Sequence, residues 1–108
     1  MILHDIAHAR AGDKGNTSDI SVIAYEPEDY EFLRLYVTSE RVRAHFGSMV
    51  KGRVERFEVP ALAALKFVMH DALEGGVTRT LNLDIHGKSL SSSLLAMTLP
   101  DRHRSDLR

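Results

Sequence analysis

The run Ala9-Arg10-Ala11-Gly12-Asp13-Lys14-Gly15-Asn16-Thr17-Ser18 concentrates residue types that do chemistry. Asp13 could serve as a general base and Lys14 as an electrophilic cation. Lys14 is a charge for an anion, and Arg10 stands just before the first glycine. Gly12 and Gly15 permit left-handed backbone and close approach of a ligand, and successive N–H groups in such a turn can form a concave anion nest. Asn16 adds an amide. A second group, Asp84-Ile85-His86-Gly87-Lys88, repeats the pattern of an acid, a glycine and a lysine. Lys14 and Lys88 could meet the same anion, a carboxylate or a coenzyme A phosphate, with Asp84 holding the glycine loop by hydrogen bonds. The plainer interpretation makes both segments polar turns, their glycines there for geometry and their lysines solvated. Adjacent side chains in a turn often point apart, so Asp13 and Lys14 need not act as a pair.

Other chemistries find little support. His4 and His8 share a strand face by the two-residue period, as do Asp84 and His86. A metal needs three or more converging donors, so no metal site is expected, and no cofactor either. The chain has no cysteine, which removes thiol catalysis, disulfides and thiolate zinc sites. No Gly-x-Ser-x-Gly elbow, phosphate-binding Walker loop or dinucleotide fingerprint is present. Ser91, Ser92 and Ser93 suit a turn or cap. His45 and His70 suit surface or edge positions.

The elements that must position these residues follow from periodicity. Ile2 to Arg10 predicts a first strand. Ile20, Val22 and Ala24 alternate with Ser21, Ile23 and Tyr25, predicting a second, with Gly12 to Thr17 as the hairpin tip. Pro27 suits a first helical turn, and Leu33 and Val37 give that helix an apolar face. Thr38 or Ser39 can cap the next helix, with Val42 and Phe46 as its stripe and Gly47 as its stop. Arg53 to Val59 predicts a third strand, with Phe57 and Val59 facing one way. Pro60 then opens the strongest predicted helix. Leu62, Leu65, Met69 and Leu73 form its stripe, Ala61, Ala64, Val68 and Ala72 widen it, and Gly75-Gly76 ends it. Leu81 to Ile85 predicts a fourth strand, His86-Gly87-Lys88 a turn, Ser89 to Leu94 a helical turn, and Leu95 to Leu99 a last strand. Asp101 to Arg108 predicts a flexible tail, which leaves residues 1–100 as one domain. The order argues an α+β two-layer sandwich, helices on one face of a largely antiparallel sheet. The other face must be solvated or pair with another subunit, and Ile23 and Tyr25 need cover there, which predicts a homodimer or higher homo-oligomer.

Composition bounds the setting. The chain has 108 residues, 44% hydrophobic and 27% charged, with a formal net charge of −1. That balance offers no bulk attraction to nucleic acid or an anionic membrane. No stretch reaches the roughly 18 consecutive apolar residues of a membrane span. The start, Met1-Ile2-Leu3-His4-Asp5, lacks the cationic and apolar regions of a signal peptide. A cytoplasmic protein is expected, with no nucleic-acid or membrane partner.

Arg10-x-Gly12-Asp13-Lys14-Gly15-Asn16, Pro60 before an apolar run, Gly75-Gly76-Val77, and Asp84-x-x-Gly87-Lys88 occur in an order that resembles the small ferredoxin-fold domain of the AtuA-like family, named after acyclic terpene utilisation. The resemblance runs from Leu3 to about Leu99. It departs from the family's pattern at Ala61 and Lys66, where asparagines are frequent, and at His86, where a glutamine is usual. It implies a ferredoxin-like sandwich in stand-alone form, acting as an accessory module of a larger AtuA-like protein in the catabolism of branched or terpenoid acyl-CoA thioesters. Its implied ligand-binding positions are Arg10, Gly12, Asp13, Lys14, Gly15, Asn16, Asp84, Gly87 and Lys88. Two alternatives stay open: a small enzyme acting on an acyl-CoA or hydroxy acid through Asp13, Lys14 and Asp84, and a carboxylate- or phosphate-binding module without catalysis. In each, the Gly12–Asn16 and Asp84–Lys88 turns are expected to lie together.

Overall fold

The second strand shows the governing pattern most clearly. In the computed structural model, which describes residues 1–14, 17–71 and 90–101, β2 (Thr17–Ala24) buries Ser18, Ile20, Val22 and Ala24 and leaves the residues between them partly exposed. That is the two-residue period of a sheet with one face on the core. β1 (Ala7–Lys14) pairs with it antiparallel, from Ala7 opposite Ala24 to Lys14 opposite Thr17. The ladder therefore runs further than the expected loop allowed. Gly12, Asp13, Lys14 and Thr17 are strand positions, and Ser18 Oγ donates to the Gly12 carbonyl at 3.3 Å near the ladder's end. Gly15 and Asn16 lie outside the described residues.

The chain also enters β1 later than its alternation suggests. Leu3–Asp5 forms a 3-10 turn, and the Asp5 carboxylate accepts the Ile2 N–H at 2.9 Å. Leu3 and Ile6 are both buried. A spacing of three sends two residues to opposite faces of a strand but to one side of a turn, so burial of both selects the turn.

The largest correction follows Pro60. The expected helix is a single 3-10 turn (Pro60–Leu62), then Ala63 in the left-handed region, then β4 (Ala64–Met69). Leu65, Phe67 and Met69 alternate and are fully buried. Leu62, which a helix would have put on its apolar face, is 67% exposed. β4 is an inner strand. It pairs antiparallel with β2, Ala64 opposite Ile23 and Met69 opposite Ser18. On its other side it pairs with β3 (Val54–Val59), Ala64 opposite Val59 and Met69 opposite Val54. Ladders on both sides give the backbone of Ala64–Met69 hydrogen-bond partners without a helix. The sheet order is β1-β2-β4-β3. Gly75, Gly76, the expected strand at Leu81 to Ile85 and the following turn lie outside the described residues.

Helices cover one face. Pro27–Asp29 forms a 3-10 turn that runs into α1 (Tyr30–Tyr36), which buries Phe32 and Leu33. α2 (Ser39–Phe46) starts at Thr38, whose Oγ1 accepts the Arg41 N–H at 3.2 Å, and ends at Gly47, where φ is 56°. This is the expected pair of caps. α3 (Leu90–Leu95) buries Leu90 and Leu94. The expected last strand is reduced to one bridge, Thr98 opposite Ile2. Met97 and Leu99 are buried beside it, with Leu3 N–H donating to Met97 O and Leu99 N–H to Met1 O. α1 lies on β2 and β4, α2 on β3 and α3 on β1. Arg56, inward-facing on β3, donates to the carbonyls of Arg34 at 2.7 Å and Val37 at 2.9 Å, so it closes the C-terminal end of α1. The result is an α+β ferredoxin-like fold, with a four-stranded antiparallel sheet among the described residues and helices packed on one side.

Candidate functional site

Strand register assigns each residue of the sheet to a face. Opposite the helices, the cross-strand rows are His8–Ile23–Ala64–Val59, then Arg10–Ser21–Lys66–Phe57, then Gly12–Asp19–Val68–Glu55. The first row and Arg10, Ser21 and Lys66 of the second, with Leu62 from the turn before β4, line a cleft of about 440 Å³. Ile23, Ala64 and Val59 are its apolar floor and Leu62 a wall. Arg10 and Lys66 stand on either side of Ser21, and among the described residues no carboxylate lines the cleft. Their Cα atoms are two interstrand spacings apart, about 10 Å, within which both long side chains can turn toward one group above Ser21.

Arg10 differs from the other described arginines. Arg34 pairs with Glu31, Arg53 with Glu55 and Arg56 with Glu58. Arg41 donates to the Thr98 carbonyl and Arg43 to that of Gly52. Neither Arg10 nor Lys66 has an ion-pair or hydrogen-bond partner among the described residues. The nearest acids on this face are in the next row. Asp19 lies against Gly12, where an added Cβ would come within 3.4 Å of the Asp19 carboxylate. Gly12 thus makes room for that side chain within an extended strand, and not by a left-handed turn. Glu55 bonds to His70 Nε2 at 2.9 Å. That hydrogen bond, with Arg53 adding to it against partial burial, holds the Glu55 carboxyl below the usual range.

At the other end of the face, Tyr25 stacks on His8 with centroids 5.6 Å apart, and His4 meets it edge-on at 6.4 Å. His4 and His8 do come together, but around an aromatic ring and with His4 in the 3-10 turn. The described residues contain no group of three or more histidine, aspartate or glutamate side chains able to hold a metal. His45 Nε2 bonds to the Ser93 carbonyl at 2.8 Å, tying α2 to α3.

Of the residues singled out from the sequence, Arg10 lines the cleft and Gly12 sits one row beyond it. Asp13 and Lys14 hold strand positions opposite Ser18 and Thr17, and their side chains lie outside the description. Gly15, Asn16, Asp84, Gly87 and Lys88 lie outside the described residues, as does the expected meeting of the two turns. Ser21, Lys66, Val59 and Leu62 were missed as site residues. Lys66 was hidden by the helical reading of its segment, although the alternation Leu65-Lys66-Phe67 carries the strand signal.

The chain matches the model of the AtuA ferredoxin-like domain over residues 1–100, and it belongs to that family. No curated protein and no solved structure matches it. No helix among the described residues is long and apolar enough to cross a membrane.

Proposed function

We propose that this chain is an accessory module that associates with itself and with a larger AtuA-like protein through the outer face of its sheet. The observation that carries this reading is the asymmetry of the sheet. Helices bury one face, while the other presents Tyr25 (48% exposed), Phe57 (49%) and Leu62 (67%) beside Ile23 and Val59. Single exposed apolar residues are ordinary, but several on one face mark an interaction surface. Aromatic residues at such positions are the usual anchors of an interface. Membership in the AtuA ferredoxin-like family is the ground for choosing a larger AtuA-like chain as the proposed partner. The proposed setting is the cytoplasmic catabolism of branched or terpenoid acids as coenzyme A thioesters, which rests on the family alone.

The test is co-expression with a larger AtuA-like chain from the same genome, followed by size-exclusion chromatography with light scattering. One mixed complex is expected, and Phe57→Ser is expected to weaken it about tenfold or more, as for an interface anchor. Elution of both chains separately at roughly tens of micromolar, well above a micromolar dissociation constant, would refute the reading.

A further inference from the structure

We propose that the outer-face cleft is a binding site for an aliphatic carboxylic acid, with Arg10, Ser21 and Lys66 taking the carboxylate and Ile23, Val59 and Leu62 taking the hydrocarbon. Three observations lead there independently of any partner chain.

The first is charge. Arg10 and Lys66 flank one hydroxyl, face the same cavity and have no acidic partner among the described residues, while the other described arginines all have partners. A planar guanidinium can take a carboxylate through two parallel hydrogen bonds, and a lysine adds a point charge. Ser21 Oγ, between them, can donate a third bond. The second is the floor. Ile23, Ala64, Val59 and Leu62 offer no polar side-chain atom, so a small hydrophilic anion would leave that surface in water. An acid with a hydrocarbon tail covers it and gains the free energy of apolar burial. The third is dimension. About 440 Å³ lies in the range of small-ligand sites. Arg10, Ser21 and Lys66 are two residues along the strands from the row that holds His8, Ile23, Ala64 and Val59, about 6.7 Å, so a head on the first puts a short tail over Ile23, Ala64 and Val59. The groove lined by Ile2, His4, Ser92 and Leu95, about 260 Å³, has no lysine or arginine among its described lining residues, so it offers no pair of cations to a carboxylate.

The experiment uses the full chain labelled with nitrogen-15 and follows its amide spectrum while hexanoate, hexan-1-ol or acetate is added. Hexanoate is expected to saturate and to shift Arg10, Ser21, Ile23, Ala64 and Lys66. Hexan-1-ol keeps the tail without the charge, and acetate the charge without the tail. Each is expected to bind about tenfold more weakly or worse, the loss for one charged or well-buried contact. Arg10→Gln and Lys66→Gln should each weaken hexanoate about fivefold to tenfold with the rest of the spectrum unchanged, which shows that they fold. Leu62→Ser should weaken hexanoate and leave acetate as it was. The proposal is overturned if hexanoate does not saturate by about 10 mM, a range weaker than useful recognition. It is also overturned if hexan-1-ol binds as well, or if both glutamine variants bind like the parent. The titration needs no partner, so failure of the docking reading leaves it unaffected. Arg10→Gln that loses hexanoate yet still assembles with the larger chain supports the acid site on its own.

Discussion

Replacing Phe67 and Leu62 one at a time by alanine separates two structures that the residues after Pro60 both permit. In a helix at 100° per residue, Phe67 would lie about 140° from Leu62, on the solvent side of the stripe. In β4 the order is reversed. Phe67 is fully buried in the central strand, opposite Ile20 on one side and Arg56 on the other, while Leu62 is 67% exposed. Phe67→Ala removes a buried ring and leaves a cavity, a change that costs about 3–5 kcal/mol. Against a typical total of about 5–15 kcal/mol, that is a third or more of the stability of many domains. Leu62→Ala strips an exposed side chain and should stay within about 0.5 kcal/mol. Urea unfolding followed by circular dichroism measures both, with the difference read as a shift in midpoint at constant slope. A larger loss for Leu62→Ala than for Phe67→Ala would refute the strand and restore the helix.

Arg56→Met should destabilise the fold by about 1–3 kcal/mol, since it strips two partly buried carbonyls at the end of α1 of their donor. A thermal melt should show this, and an unchanged melting temperature would remove the capping role. The Glu55 carboxyl is held low chiefly by its hydrogen bond from His70. A group whose folded pKa lies below its unfolded value stabilises the fold above the unfolded pKa and loses that contribution as pH falls through the folded one. His70→Ala should therefore lower stability slightly at neutral pH, above the ordinary glutamate range, and the profiles of parent and variant should converge as pH falls through and below that range. The change should be small and weaken with salt, because the pair is partly exposed. Equal profiles for parent and variant in low salt would count against the pairing.

Several elements could be read from local signals alone. β2 alternates strictly, and alternation with one apolar face has one strand solution. Pro27, Thr38 and Gly47 act through their own backbone and side-chain chemistry, so the start of the 3-10 turn before α1 and both ends of α2 follow without knowledge of the rest of the chain. The Gly-Asp-Lys-Gly-Asn block with the later motifs was enough to indicate the family. Other features have no local signal that decides them. The apolar spacing at Leu62, Leu65 and Met69 fits a helix, while Leu65, Phe67 and Met69 fit a strand. What selects the strand is the pair of neighbours, β2 and β3, that supply ladder partners on both sides, and those lie far away in the chain. The same holds for the reach of the β1–β2 ladder, which carries Gly12 to Lys14 into the sheet by register. It holds most for the cleft. Arg10, Ser21 and Lys66 each sit in a separate strand among unrelated neighbours, and only the lateral order β1-β2-β4 places two cations across one serine. Periodicity says which face a residue takes within its own strand, whereas the composition of a face is decided by which strands lie side by side.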